Sequence, residues 1–217
     1  MDKVYLIGRD AVPSLLRLGA GESLRMTLVV PEGVSSRLVL EVDLDGPGAS
    51  LDLAGASMST GSEEVSIKVI VRHNVPGCRS EQLFKSVAGG NARVAFDGLV
   101  YVAHDAVRTV AHQQNHSLLL SEGAAVESRP QLEIYADDVE CSHGATTGYL
   151  NPEELFYMRS RGIPEPVARQ MQVDAFLAPV LARDASATLS MTEGAFSMTT
   201  AANGADECTI SSKNDRF

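Results

Sequence analysis

Apolar and polar residues alternate along most of residues 1–150 of this 217-residue chain. Segment 24–30 carries a large apolar side chain at every second position and ends at a Pro-Glu-Gly turn sequence. Segment 38–44 repeats the pattern and ends at Asp-Gly-Pro-Gly, and segment 66–73 follows it again. Period-two alternation between such corners is typical of short β-strands. The sequence therefore predicts an all-β body.

From residue 91 onward, four small or acidic corners are each followed by a valine: Val94, Val107, Val126 and Val139. The intervals between these valines are irregular, at 13, 19 and 13 residues. Short strands and corners at this pitch suit a β-solenoid, in which each turn buries its apolar face on the next. A β-sandwich of ordinary hairpins gives a similar alternation, and the pattern alone favours neither.

The pattern becomes helical at residue 151. Asn151 is a good helix N-cap, Pro152 suits the first turn, and Gly162 is a typical helix end. A second helix is predicted from Pro164-Glu165, with four apolar residues at helical spacing, and is expected to fade near 179–183. These four residues are Val167, Met171, Ala175 and Ala178.

These patterns divide the chain into three parts. Residues 1–150 are predicted to form the β core, and residues 151–183 a helical segment. Residues 184–217 are rich in Ala, Ser, Thr, Asn and Gly, which predicts a mobile tail. An edge strand over 187–191 is the alternative for part of that tail.

The composition narrows the classes of partner. The net charge of −10 argues against a nucleic acid and an anionic membrane surface as partners. No segment approaches the roughly 20 apolar residues of a membrane span, and residues 1–10 lack signal-peptide features, so a cytoplasmic protein is expected. The three cysteines are far apart and form no CxxC pair. A metal site would therefore take one or two ligands from this chain and the rest from elsewhere.

Cys141 and His143 are the strongest candidates for chemistry. If residues 139–143 are extended, both side chains project from one face. A thiolate beside an imidazole can bind iron, zinc or copper, or act as a nucleophile with its base. A buried thiol beside a hydrogen-bonded histidine is the plainer interpretation. His112 and His116, with His104 nearby, could add ligands, or could simply belong to a polar ladder.

Two longer motifs are similar to those of a known family. Residues 130–146, PQLEIYADDVECSHGAT, resemble a signature of the SufB/SufD family of iron–sulfur cluster assembly scaffolds. Residues 155–163, LFYMRSRGI, resemble its second signature, and residues 113–121 resemble its leucine-rich rung. The resemblance extends over about residues 20–180, and CSHGAT is similar to the SufD side. Family members commonly carry an N-terminal helical region, so the chain resembles a short form.

The resemblance implies a right-handed parallel β-helix with a short C-terminal helical pair, acting as a scaffold and not as an enzyme. It implies assembly with a SufB-type scaffold, or with a second copy as a homodimer. Cys141 and His143 would then lie at the scaffold interface, where they would hold iron or an iron–sulfur cluster transiently.

The resemblance also implies that a SufC-type ATPase docks on the helical segment. The residues expected to make that contact are Leu155, Phe156, Tyr157, Arg159 and Arg161. Packing of the apolar members against the last β-turns, and solvation of the arginines, is the simpler alternative.

Two other functions remain open from the sequence. One is a structural or regulatory module that keeps the fold without binding a cluster. The other is a metal-dependent enzyme that combines Cys141 and His143 with His112 or His116.

Overall fold

The computed structural model describes residues 2–183, which form eleven β-strands followed by two α-helices. The strands are β1 Asp2–Leu6, β2 Leu15–Leu18, β3 Ser23–Val30, β4 Ser36–Leu44, β5 Ser50–Ser59, β6 Glu64–His73, β7 Arg79–Ala88, β8 Arg93–Val102, β9 Thr109–Leu119, β10 Ala125–Ile134 and β11 Val139–Tyr149. The helices are α1 Pro152–Ser160 and α2 Glu165–Leu181. Residues 184–217, with the predicted tail and its alternative strand, lie outside the described residues.

Odd-numbered and even-numbered strands form separate sheets. The six-stranded sheet has the order β1-β3-β5-β7-β9-β11, and the five-stranded sheet the order β10-β8-β6-β4-β2. Each strand pairs in parallel with the strand one full turn away, so the chain winds as a β-solenoid of about 5 turns. A sandwich of hairpins would give antiparallel neighbours. The β-helix with a C-terminal helical pair is therefore confirmed.

The irregular valine spacing reflects this alternation between sheets. Val126 pairs with Val94, one turn earlier in the five-stranded sheet. Val107 lies in the intervening corner, and Val139 begins β11 of the other sheet, opposite Thr109. The repeating unit is thus a whole turn with two strands, and the intervals are unequal because the four valines do not occupy equivalent positions in it.

Inward-facing side chains of the two sheets fill the solenoid. Phe84 of β7 is fully buried and contacts Phe96 of β8, with ring centroids 4.7 Å apart. Gly55 pairs with Phe84, and a Cβ at Gly55 would lie only 2.4 Å from the ring of Phe84. The glycine is therefore what allows this aromatic pair to fit between the sheets.

The interior becomes more polar toward the last turns. One inward column of the six-stranded sheet runs from Leu53 through Gln82 and Gln113 to His143. A neighbouring column runs from Ser57 through Ser86 to Ser117. Several of these buried polar atoms, among them Oγ of Ser117 and Oε1 of Gln113, have no hydrogen-bond partner.

Local capping defines α1, as the sequence predicts. The Oδ1 atom of Asn151 accepts a hydrogen bond from the backbone N–H of Glu153 at 2.9 Å. At the other end, Gly162 has a φ of 84°, and its N–H donates to the carbonyl of Arg159. The N–H of Ile163 closes the same turn. This geometry is a Schellman motif, in which glycine avoids the strain of a positive φ.

Helix α2 packs on the outer face of the six-stranded sheet, but with a different face from the one expected. Val167, Met171, Ala175 and Ala178 are all exposed. The buried side chains are Ala168, Val173, Leu177, Val180 and Leu181. Both faces of α2 carry apolar residues, so helical spacing predicts the helix without deciding which face packs. A cation–π contact of Lys85 with Phe176, at 4.5 Å, and an ion pair of Arg183 with Asp52 also join α2 to the sheet.

Candidate functional site

Cys141 and His143 lie on β11, at the last turn of the solenoid. They are in register with Ala111 and Gln113 of β9. Cys141 packs on an apolar cluster that includes Ala111 and Val100, so its side chain faces inward. His143 is two residues further along the extended strand and therefore projects from the same side. It is exposed, because no described strand stacks on β11. The structure thus places a thiol and an imidazole side by side at an open end.

The environment of Cys141 favours the neutral thiol. Partial burial raises the pKa of Cys141, and the negative charge of Glu140 raises it further. A hydrogen bond from the backbone of Ala111 acts in the opposite direction and is outweighed. A metal ion bound at Cys141 would therefore have to displace a proton, since the thiolate is the ligand.

The number of ligands near the open end is small. Among residues 2–183, no group of three or more His, Cys, Asp or Glu side chains is arranged to hold a metal ion. Cys141 and His143, hereafter the Cys–His pair, could supply two ligands. The remaining ligands of an iron or zinc ion would have to come from outside residues 2–183.

The other histidines do not join the Cys–His pair. His112 contacts Ser142 through Nδ1 at 2.7 Å, and His116 contacts Thr146 at 2.7 Å, both between side chains 30 residues apart. Ser142 lies between the members of the pair, so these contacts are on the opposite, outward face. His104 lies in a corner against Tyr135. The structure therefore places His112 and His116 in an outward polar ladder and does not bring them together with the pair.

Helix α1 presents its aromatic residues to solvent. Phe156 is 73% exposed and Tyr157 is 58% exposed, and α1 has no buried residue. The packing of these two side chains against the last turns, the simpler alternative, is therefore wrong. Leu155 is half-buried.

Both arginines of the predicted docking surface are engaged within the chain. Arg159 forms an ion pair with Glu165 at 3.3 Å. The guanidinium of Arg161 lies 5.2 Å from the ring centre of Tyr157. Such contacts restrict the rotamers of these long side chains, and they hold the Tyr157 ring beside a positive charge.

A groove of about 510 Å³ separates the end of β11 from the two helices. Tyr149, Met158, Met171 and Phe176 line much of it. Tyr149 is 62% exposed and Met171 is 47% exposed. The sequence does not predict Tyr149 or Met171 as part of a binding surface. Their exposure follows from the way α2 packs on the sheet, which local pattern does not specify.

Residues 15–176 match the family model described as SUF system FeS cluster assembly, SufBD core domain. The chain belongs to the SufB/SufD family. The matched region includes both the Cys–His pair and α1. Neither described helix has the length and hydropathy that a membrane span requires.

Individual relatives agree with this assignment. The chain is 42% identical over 135 residues to the iron–sulfur cluster assembly protein SufD of Escherichia coli, covering 62% of this chain and 32% of that protein. It is 32% identical over 190 residues to an iron–sulfur cluster assembly SufBD family protein of Mycobacterium bovis, covering 84% and 47%. A SufBD family protein of Synechocystis is 38% identical over 129 residues, covering 59% and 27%. The chain thus spans less than half the length of these relatives.

Proposed function

We propose that this chain is a SufD-like scaffold component of an iron–sulfur cluster assembly complex and has no catalytic activity of its own. The observation that carries the proposal is the Cys–His pair at the open end of the solenoid, within a chain of the SufB/SufD family. Iron or a nascent cluster is the cargo of this site, held transiently and then passed on.

The site is half of a ligand set, and a second scaffold completes it. Iron–sulfur clusters are held mainly by cysteine thiolates, with histidine as an alternative ligand. The Cys–His pair supplies one thiolate and one imidazole. Within residues 2–183, β10 and β11 each form the last strand of their sheet, and such an edge can pair with a strand of another chain. A SufB-type scaffold, or a second copy across a twofold axis, would bring further ligands to the same place.

The helical segment is the docking surface for a SufC-type ATPase. Phe156 and Tyr157 offer a large apolar contact that no residue between 2 and 183 covers. Aromatic side chains of this kind often dominate the binding energy of an interface. Leu155, which is half-buried, is the third apolar residue of this surface. Arg159 and Arg161 add positive charge that can attract acidic residues of the ATPase. Nucleotide-driven closure of that ATPase would then move the scaffold.

Anaerobic co-purification of the chain with a SufB-type scaffold and a SufC-type ATPase tests the proposal. We expect a stable complex with bound iron and sulfide, most of which is lost in Cys141→Ser and in His143→Ala. Cys78→Ser is the matched control. Cys78 is distant from Cys141 in the sequence, is buried, and donates a hydrogen bond to the carbonyl of Gly46. An iron content that is the same in the wild type and in the double variant at Cys141 and His143 would overturn the cluster-binding role.

A structural or regulatory module is the second candidate. The raised pKa of Cys141 favours it, because a protonated thiol is a poor metal ligand. In that case the complex would form with the same partners but without iron. The iron and sulfide measurements on the wild-type complex separate the two functions.

A further inference from the structure

A column of polar side chains lies directly beneath His143. Gln82, Gln113 and His143 occupy equivalent inward positions in three successive turns. The Nε2 atom of Gln113 donates a hydrogen bond to Oε1 of Gln82 at 3.0 Å. Neighbouring strands of a sheet lie about 4.8 Å apart. The amide of Gln113 is therefore the nearest inward side chain of the preceding turn.

The amide of Gln113 has an unused acceptor. Gln113 is fully buried, and its Oε1 atom has no hydrogen-bond partner. The side chain extends to Gly98 of the opposite sheet, where a Cβ would lie 2.7 Å from Oε1. A buried acceptor left unpaired destabilises the folded state. The Oε1 atom of Gln113 is therefore an acceptor open to a donor from the next turn.

The residue of β11 in register with Gln113 carries a donor that suits this acceptor. The Oδ1 atom of Asn115 is also buried and unpartnered, but the residue above it is Ala145, which has no side-chain donor. The residue above Gln113 is His143, whose ring carries an N–H. His143 forms no side-chain hydrogen bond with residues 2–183 and is exposed, so its ring can turn toward Oε1 without losing a contact.

We infer that Gln113 is a positioning residue for His143, with Oε1 of Gln113 accepting a hydrogen bond from one ring N–H of His143. The inference rests on the proposed role of His143 as an iron ligand. The bond holds the imidazole in one tautomer and one orientation. Its second ring nitrogen then directs a lone pair to the open end, beside Cys141, where iron would bind.

Nitrogen NMR of the histidine rings in the full chain tests the bond without iron or partners. With ¹⁵N-labelled histidine at about pH 8, above the ordinary pKa of histidine, the neutral tautomers have distinct ring-nitrogen shifts. We expect one tautomer for His143 in the wild type, and shifts that move toward those of free histidine in Gln113→Met. His143→Gln assigns the signal among the 5 histidines.

Two further variants keep the test decisive. Gln113→Glu retains the length and the acceptor, so it should retain the single tautomer, with the amide of Gln82 turning to donate. Gln114→Met makes the same apolar change on the exposed, outward face of β9 and should leave His143 unchanged. If the Gln113→Met variant does not fold, the tautomer ratio of His143 in the wild-type chain still tests the inference. A wild-type His143 with the tautomer ratio of free histidine overturns the inference.

Iron binding separates this inference from the proposed function. In the anaerobic complex, Gln113→Met should weaken Fe(II) binding about tenfold or more, as loss of a partner behind a histidine ligand typically does. A tautomer change with unaltered Fe(II) binding would support the positioning of His143 and overturn its role as an iron ligand. An unchanged tautomer with Fe(II) binding that still requires His143 would overturn the positioning and leave the scaffold function in place.

Discussion

The Nε2 atom of His73 and the Oγ atom of Ser80 lie 2.9 Å apart inside the solenoid, at the crossing from one sheet to the other. His73 is fully buried, and its Nδ1 atom has no partner. Burial lowers the pKa of His73 to about 4. The imidazole is therefore neutral in the folded chain at neutral pH and forms part of the polar interior.

The first prediction is that the chain loses stability in mild acid through His73. Between about pH 6.5 and pH 4, the unfolded chain binds a proton that the folded chain excludes, so stability falls as the pH falls. The contribution of the neutral His73 to the free energy of unfolding is fully present above about pH 6.5. At pH 5 this free energy is lower by about 2 kcal/mol. Urea unfolding at pH 7 and pH 5 measures the loss.

His73→Gln should make the stability less dependent on pH over this range, because glutamine does not titrate. The exposed His104, changed in the same way, is the control and should keep the wild-type dependence. A His73→Gln variant that loses as much stability as the wild type between pH 7 and pH 5 would contradict the assignment.

The second prediction concerns the contact of Gly55 with Phe84. Gly55→Ala would place a methyl group 2.4 Å from the ring, so the ring or a strand must shift. Overpacking of this kind costs about 1–3 kcal/mol. Gly144→Ala on β11 is the control, because a Cβ there has no neighbour within 4 Å. Denaturant unfolding compares the two. Equal stabilities would show that the interior accommodates the added methyl group.

The third prediction is that Phe156→Ala weakens binding of the ATPase about tenfold or more, as loss of an aromatic hot spot does. The stability of the chain itself should change by less than about 0.5 kcal/mol, because Phe156 is 73% exposed. Leu15→Ala removes another exposed apolar side chain, 45% exposed on β2, and should not alter ATPase binding. Calorimetry with the purified ATPase measures the affinities. A Phe156→Ala variant with wild-type affinity would move the docking surface elsewhere.

The fourth prediction concerns the free edge of β11. Ala145→Lys places a charge at the open end, and charged residues on an edge oppose pairing with another strand. We expect association with the second scaffold to weaken at least about tenfold, with the fold of the chain preserved. Gln114→Lys adds the same charge on the outward face of β9 and should associate normally. Light scattering of the mixed scaffolds gives the readout, and unaffected association of Ala145→Lys would exclude this edge from the interface.

Much of the site could be predicted from local pattern and resemblance. The extended strand that carries Cys141 and His143 follows from the alternation and the corner before it. The docking role of Phe156 and Tyr157 stays a prediction from the motif, and the structure shows that both side chains are exposed. Gln113 was missed, because within its own strand it is only one of several polar residues. Its significance depends on the residue one turn later.

Features that depend on neighbours along the chain follow from the amino-acid sequence alone. These features are the strands, their corners and the two ends of α1. Asn151 caps the start of the helix, and the turn at Gly162 closes its end, through hydrogen bonds between groups a few residues apart. Each of them is encoded by short-range sterics and hydrogen bonds.

Which residues meet across a turn depends on long-range packing. The pairing of Val126 with Val94, the position of Gln113 beneath His143, and the packed face of α2 all join residues that are distant in the sequence. The physical reason is that strand register is selected by the fit of whole inward faces against each other, and no local pattern specifies that fit.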